Sequence, residues 1–287
     1  MMHAYQSIPW QLKVAAKLLL SRIPLGYDAW KRVGLFKLGG MERPEYALKV
    51  FRRHFDPANF ARKRGDFVGL ELGPGDSLFS ALIAHSYGAS RTYLVDVGPY
   101  TCCDLAIYRQ MECHLRELGL HPPSLANCAT VNDVLAACSA EYLTEGLASL
   151  RRIPSGSVDF VWSHVVLQHI RRDEFLPTLL ELRRIQVSEG IGSHRVSISD
   201  ILGGGLNDLR FSQRIWESSL MANSGFYTNR IRYSELLRLF RVAGFDVQLR
   251  SVERWDKLPT PRRKMAEEFA VLPEDELRVS GFDVLLH

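Results

Sequence analysis

A mainly parallel, doubly wound α/β sheet is the fold class this sequence predicts, on three observations. From residue 66 onward, short apolar runs rich in Val, Leu and Phe alternate with amphipathic helical stretches. A Gly-Pro-Gly turn closes the first of these runs. The last two runs, 245–255 and 278–287, flank a short helical stretch near 262–270 and read as a closing strand pair.

The elements follow in order. Strands are expected at FVGLEL (67–72), TYLVDV (92–97), AEYL (140–143), VDFVWSHVV (158–166) and HRVSISD (194–200). Helices are expected over 77–88, 102–118, 131–138, 173–186 and 234–244. Gly88 and Gly244 stop two of them, and Pro122-Pro123 separates two others. Upstream, Ile8, Leu12, Ala15, Leu19 and Ile23 recur at helical spacing over 8–23, and Pro24 and Gly26 end that helix. A second helix is expected over 44–55, with Pro44 in its first turn and DPAN (56–59) breaking it. The chain therefore divides into an N-terminal helical extension or cap (1–60) and an α/β domain (61–287). Residues 201–233 exceed a simple connection and form an insertion, or lid, at a strand's carboxyl end.

Charge and composition narrow the function. Residues 1–40 carry six basic side chains against Asp28, so the basic excess lies in the extension and not on the main domain. Nucleic acid is therefore not an expected partner. The basic amphipathic helix 8–23 has two readings, a cap folded over the domain or a peripheral contact with an anionic membrane. No apolar run reaches the 18–20 residues of a membrane span, and no signal peptide is recognisable. Five cysteines without CxxC pairing indicate neither a disulfide framework nor a metal site, so a cytoplasmic location is expected.

The turn in LELGPGDS (70–77) raises the main chemical question. Gly73 and Gly75 begin a dinucleotide fingerprint, but its third glycine should stand at 78, where the chain has Leu78. Two acids sharpen the reading. Asp96 ends the next strand, where a carboxylate accepts hydrogen bonds from both ribose hydroxyls. Glu71, two residues before Gly73, would repel a pyrophosphate and attract an amino group. The ligand so described has a ribose and a positive charge but no phosphate, which S-adenosylmethionine satisfies.

At these residues the chain resembles the class I S-adenosylmethionine-dependent methyltransferases, over roughly 66–287. LELGPGDS is similar to the family's E/D-x-G-x-G motif, and YLVD to its ribose-binding strand end. SLRRIPSGSVDFVWSHVVLQHI (149–170) is similar to its loop, strand and vLxH turn, and FRVAGFDV (240–247) to its approach to the last strands. DILGGGLNDLRFS (200–212) is similar to a bacterial subgroup. The family's turn before the fifth strand corresponds to QVSEGIG (186–192), without its usual PGG. The resemblance implies a seven-stranded Rossmann-like sheet with an antiparallel closing strand, and S-adenosylmethionine as cofactor. It implies cofactor contacts at Glu71, Gly73, Pro74, Gly75, Ser77, Asp96, Val97, Glu145, Gly146, Ser163 and His164.

Methyl transfer from a sulfonium asks for alignment of the acceptor and at most one base. The candidates are His164, His169 and Asp200, with no metal. For each, a structural role stands beside the catalytic one: Asp200 can cap the turn that follows it, and His194 is expected outside the site. A small-molecule acceptor, with oxygen the default nucleophile, is expected. Arg210, Arg214, Trp216, Tyr227, Arg230 and Tyr233 suggest an anionic or ring-containing one, or else an ordinary cover packed on the domain. Two other classes stand beside the enzyme: a non-catalytic scaffold of the same fold, and an NAD-dependent oxidoreductase. The latter would want a glycine at 78 and a Tyr-x-x-x-Lys relay.

Overall fold

The structure is a computed structural model that describes residues 40–59 and 66–287. The 8–23 helix lies outside the described residues. The described residues begin with α1 (Pro44–Ala58), β1 (Phe67–Leu72), α2 (Phe79–Ser86), β2 (Ala89–Val95), α3 (Leu105–Glu117), α4 (Val131–Ala137) and β3 (Ala140–Leu143). They continue through α5 (Leu147–Arg152), β4 (Val158–His164), α6 (Arg172–Ile185) and β5 (Gln186–Ser197). Short helices α7 (Gln213–Trp216) and α8 (Ser219–Ala222) precede α9 (Tyr233–Val242) and β6 (Val247–Arg254). Two more, α10 (Glu267–Ala270) and α11 (Glu274–Leu277), lead into β7 (Val279–Leu286).

The seven strands form one sheet in the order β3-β2-β1-β4-β5-β7-β6. The first five pair in parallel, while β7 runs antiparallel to both β5 and β6. Strand order reverses at β1, which has β2 on one side and β4 on the other. A doubly wound sheet opens its crevice at that reversal, beyond the carboxyl ends of the strands. Those ends are level, because Leu72 stands opposite both Val95 and Ser163.

Alternation along the strands separates two apolar layers. Phe67, Phe160 and Trp162 face α1, α2 and α3, where Phe51, Phe55, Phe79 and Tyr108 complete one core. Leu70, Leu72 and Val161 face the other side, against Phe175, Leu179 and Phe240 of α6 and α9. A division at residue 60 puts α1 with the extension, yet its apolar face is part of the first core. The 200–233 region has a small core of its own around Trp216 and Phe226. A second satellite joins Leu206 and Leu209 to Met265, Phe269 and Leu277.

Three expectations need correction. DPAN does not break α1 at 55: the helix runs through Pro57 to Ala58 and closes on Asn59 in the left-handed conformation. Proline at that point removes only one intrahelical bond, and Phe55 and Ala58 remain buried. QVSEGIG is not a turn but the first half of β5, whose register slips between Val158 and Phe160 to absorb the extra residues. The helix near 262–270 is two short pieces, a single 3-10 turn at Arg262–Lys264 and α10.

Candidate functional site

The crevice is built from the segments that leave β1, β2 and β4. Gly73 has φ +66° and Gly75 φ +77°, both in the left-handed region that glycine enters without a Cβ penalty. A Cβ on Gly73 would stand 2.5 Å from Val166 Cγ2. The turn thus needs glycine twice over, and its backbone is left open toward the crevice. The Gly73 N–H donates to the Val95 carbonyl at 2.8 Å, which ties the turn to the end of β2. Leu78 is buried in the first core, where a dinucleotide turn would have its third glycine. Gly73→Ala is expected to destabilise the protein by about 2–4 kcal/mol, from left-handed strain plus the clash. Val166→Ala in the same chain should recover the steric part only, as thermal unfolding of both variants would record.

Asp96 follows β2. Its Oδ1 accepts the Val97 N–H at 2.7 Å, and its main chain bonds to Leu143 and Gly146. Partial burial raises its carboxyl to about 6, against the opposing pull of the Val97 and Gly75 N–H groups. Val97 is 72% exposed, and a Cβ on Gly146 (φ +52°) would stand 3.0 Å from it.

Glu71 is 1% exposed and stands opposite Trp162 in the sheet. Burial raises its carboxyl to about 7, and the Asp96 charge pushes the same way more weakly. Ser80 and Trp162 face the carboxylate and oppose the shift. They do so without closing bonds of normal geometry, since Glu71 Oε2, Ser80 Oγ and Trp162 Nε1 are all buried without a partner. An orphaned carboxylate oxygen of this kind suits a cationic donor brought by a ligand.

The end of β4 carries the site's histidines. Val165, a β-branched residue, has φ +61°, a strained conformation of the sort concentrated at functional sites. The chain then turns through a 3-10 segment, Leu167–His169. His169 Nδ1 lies 3.0 Å from the Tyr227 carbonyl. A carbonyl only accepts, so Nδ1 carries the proton and Nε2 keeps its lone pair; packing around the ring lowers its pKa, and the Tyr227 carbonyl pulls the other way. His164 points instead toward α1, with its Nδ1 3.1 Å from His54 Nε2. His54 Nδ1 in turn meets Ser193 Oγ at 3.0 Å. Burial first, then Arg53 and Arg195, hold His164 down at about 4. His164 is thus a weak base engaged in a buried polar contact.

Several expected site residues are engaged elsewhere. Ser77 is buried and donates to the Met41 carbonyl at 2.6 Å. Ser163 is buried in β4, where its Oγ meets His194 Nδ1 at 2.8 Å. His194 is thus a buried cross-strand partner of Ser163 in mid-strand, with burial lowering its ring to about 3. Glu145 points away and pairs with Arg152 at 2.8 Å on the surface. Asp200 is not placed as a base: its carboxylate accepts the N–H groups of Leu202 (2.8 Å), Gly203 (2.7 Å) and Asn207. The ordinary-cover reading of 201–233 holds for Trp216, Tyr227 and Arg230, which are all buried. Trp216 Nε1 donates to the Thr228 carbonyl, and the Arg230 guanidinium lies over the Trp216 ring.

Sequence reasoning passed over His54, Trp162 and Ser80. Only His54 left a signal, a histidine beside Val50, Phe51 and Phe55 on the apolar face of its helix. Among the described residues no group of three or more His, Cys, Asp or Glu side chains could hold a metal ion. All five cysteines are free, and no described helix is long and apolar enough to cross a membrane.

The strand order, with its antiparallel β7, defines a seven-stranded Rossmann-like sheet. No protein-family model matches the chain, and no curated protein does. Solved structures are similar to it at low identity. A SAM-dependent methyltransferase from Archaeoglobus fulgidus is 11% identical, over 85% of this chain and 94% of that one, with a TM-score of 0.46. An S-adenosylmethionine-dependent methyltransferase from Mesorhizobium loti is 13% identical, over 85% and 97%, with a TM-score of 0.43. One from Methanosarcina mazei is 14% identical, over 81% and 96%, with a TM-score of 0.42.

Proposed function

We propose that this protein is an S-adenosylmethionine-dependent methyltransferase acting on a small-molecule acceptor through an oxygen nucleophile. One observation carries the reading. Two carboxylates of raised pKa, Glu71 and Asp96, flank a left-handed glycine turn at the strand reversal of a Rossmann-like sheet. A phosphate-bearing dinucleotide would meet repulsion there, whereas a cationic adenosyl compound finds an acceptor for each of its polar ends.

In this mechanism Asp96 accepts from the ribose hydroxyls. Val97 and Gly146 hold the adenine ring, and Gly73 and Gly75 let the main chain approach. Glu71 receives the α-amino group, whose positive charge completes the partnerless oxygen. S-adenosylmethionine, when bound, supplies an electrophilic methyl group on sulfur. His169 takes the acceptor's proton at Nε2, and the Tyr227 carbonyl holds the imidazole in the required tautomer. His164 and Asp200 position the strand ends and contact neither reactant.

Calorimetry tests the reading. S-adenosylmethionine or its demethylated product should bind and NAD should not, and Asp96→Ala should weaken that binding at least tenfold. Unchanged affinity in the variant would remove the ribose assignment. Incubation with a bacterial metabolite extract identifies the acceptor as the compound that gains one methylene. With that acceptor, His169→Ala should lower turnover about a hundredfold while leaving cofactor affinity intact. Full turnover in that variant would exclude His169 as the base.

A further inference from the structure

Beneath the 201–233 segment, at the carboxyl ends of β4 and β5, a small cavity is lined by Gln168, Asp208, Arg230 and Arg232 among others. Each of these four side chains is more than nine-tenths buried. Each also holds one atom without a partner: Gln168 Oε1, Asp208 Oδ1, Arg230 Nε and Arg232 Nε.

Their remaining polar atoms are engaged. Gln168 Nε2 donates to the Val165 carbonyl at 2.9 Å, which leaves the oxygen as the unused end of the amide. Asp208 Oδ2 accepts from Thr228 Oγ1 at 3.0 Å. The terminal nitrogens of Arg230 donate to the carbonyls of Asp208 and Phe211 and to Gln213 Oε1. Those of Arg232 donate to the carbonyls of Ile198, Glu276, Leu277 and Val279.

The four remaining atoms are two donors and two acceptors, which is the complement of one water molecule. The cavity is about 10 Å³ in volume, close to what a single molecule needs. Buried donors and acceptors are rarely left unpaired in native proteins. A halide would satisfy the two arginines but would face two oxygens, Asp208 Oδ1 and Gln168 Oε1.

We propose that this cavity is a binding site for one water molecule, which accepts from Arg230 and Arg232 and donates to Asp208 and Gln168. The water joins the turn after β4 to the 3-10 segment Asp208–Arg210 and to the irregular segment that leads into α9. It adds to direct bonds at the same junction. There the Asn229 N–H donates to the Gln168 carbonyl at 2.7 Å, and the Asn229 amide donates to the carbonyls of Leu167 and Ile170. The 227–232 end of the segment is thereby tied to the turn after β4 at several points. The proposal is independent of the cofactor's identity.

A high-resolution crystal structure of the full chain tests it directly. One ordered water within about 3.2 Å of all four atoms is expected. A dry cavity closed by direct contact of Asp208 with an arginine would overturn the proposal, and so would an ion in its place. A double-mutant cycle in solution gives a second reading. Gln168→Met and Asp208→Asn should each lower Tm by several degrees, and the double variant by clearly less than the two together, because one water serves both. Strict additivity would mean that no molecule is shared.

Discussion

Glu71→Gln is expected to weaken the proposed binding of S-adenosylmethionine while making the ligand-free chain more stable. Burial raises the Glu71 carboxyl to about 7, above the 4.5 of an unfolded chain. The sign follows from that order. The folded state holds the proton more tightly, so this group's contribution is most favourable below pH 4.5 and is lost as pH rises toward 7. By pH 8 the penalty of the buried charge is on the order of 3 kcal/mol. Glutamine keeps the shape and removes the charge. Its apo form should melt several degrees higher at pH 8 and about level with wild type at pH 5. Binding of S-adenosylmethionine should fall about a hundredfold, since a buried charge pair loses one partner. Wild-type affinity should climb between pH 6 and 8 as Glu71 ionises, with proton release visible in calorimetry across buffers of different ionisation heat. Asp96 titrates nearer 6, so the variant should lose the upper limb of that profile and keep the lower. A Glu71→Gln variant that binds like wild type, or an affinity flat across this range, would refute the role of Glu71.

Asp200→Ala should have the largest effect on stability outside the main core. Its carboxylate serves three backbone N–H groups within one loop, those of Leu202, Gly203 and Asn207, at a residue that is 3% exposed. Alanine leaves all three without their acceptor, at about 1 kcal/mol or more each, so a loss of roughly 3–5 kcal/mol is expected. The Leu206 and Leu209 satellite core should loosen with the loop. Asparagine should rescue only in part, since one of its ends must present a donor to a donor. Denaturant titration with turnover measured on the surviving folded fraction separates the roles. A variant of wild-type stability that has lost turnover would restore Asp200 as a base.

Much of the fold was legible because its signals are local. All seven strands overlap segments whose apolar pattern marked them, even β3, which is four residues long and half-exposed. Misread places are those where a local signal competes with packing. Pro57 is a breaker by type, yet α1 continues past it because Phe55 and Ala58 are needed in the core. QVSEGIG has the glycines and acid of a turn, yet its two ends pair with β4, Gln186 opposite Val158 and Ile191 opposite Phe160, and the residues between are taken up by a register slip.

The candidate site divides along the same line. The sequence by itself determined the glycine turn, since positive φ is a property of one residue and its nearest neighbours. It also placed Glu71 and Asp96 at the ends of two strands consecutive in the chain. Tertiary structure alone decided which histidine keeps an open nitrogen. His164 is engaged by His54, 110 positions away in the chain, and His169 is held by the carbonyl of Tyr227, 58 positions away. It also decided that Trp216 and Arg230 are packing residues and that Asp200 holds a loop. A side chain's type sets what it can donate, accept or bury. Whether that capacity remains for a ligand depends on partners that only the folded chain brings within about 3 Å.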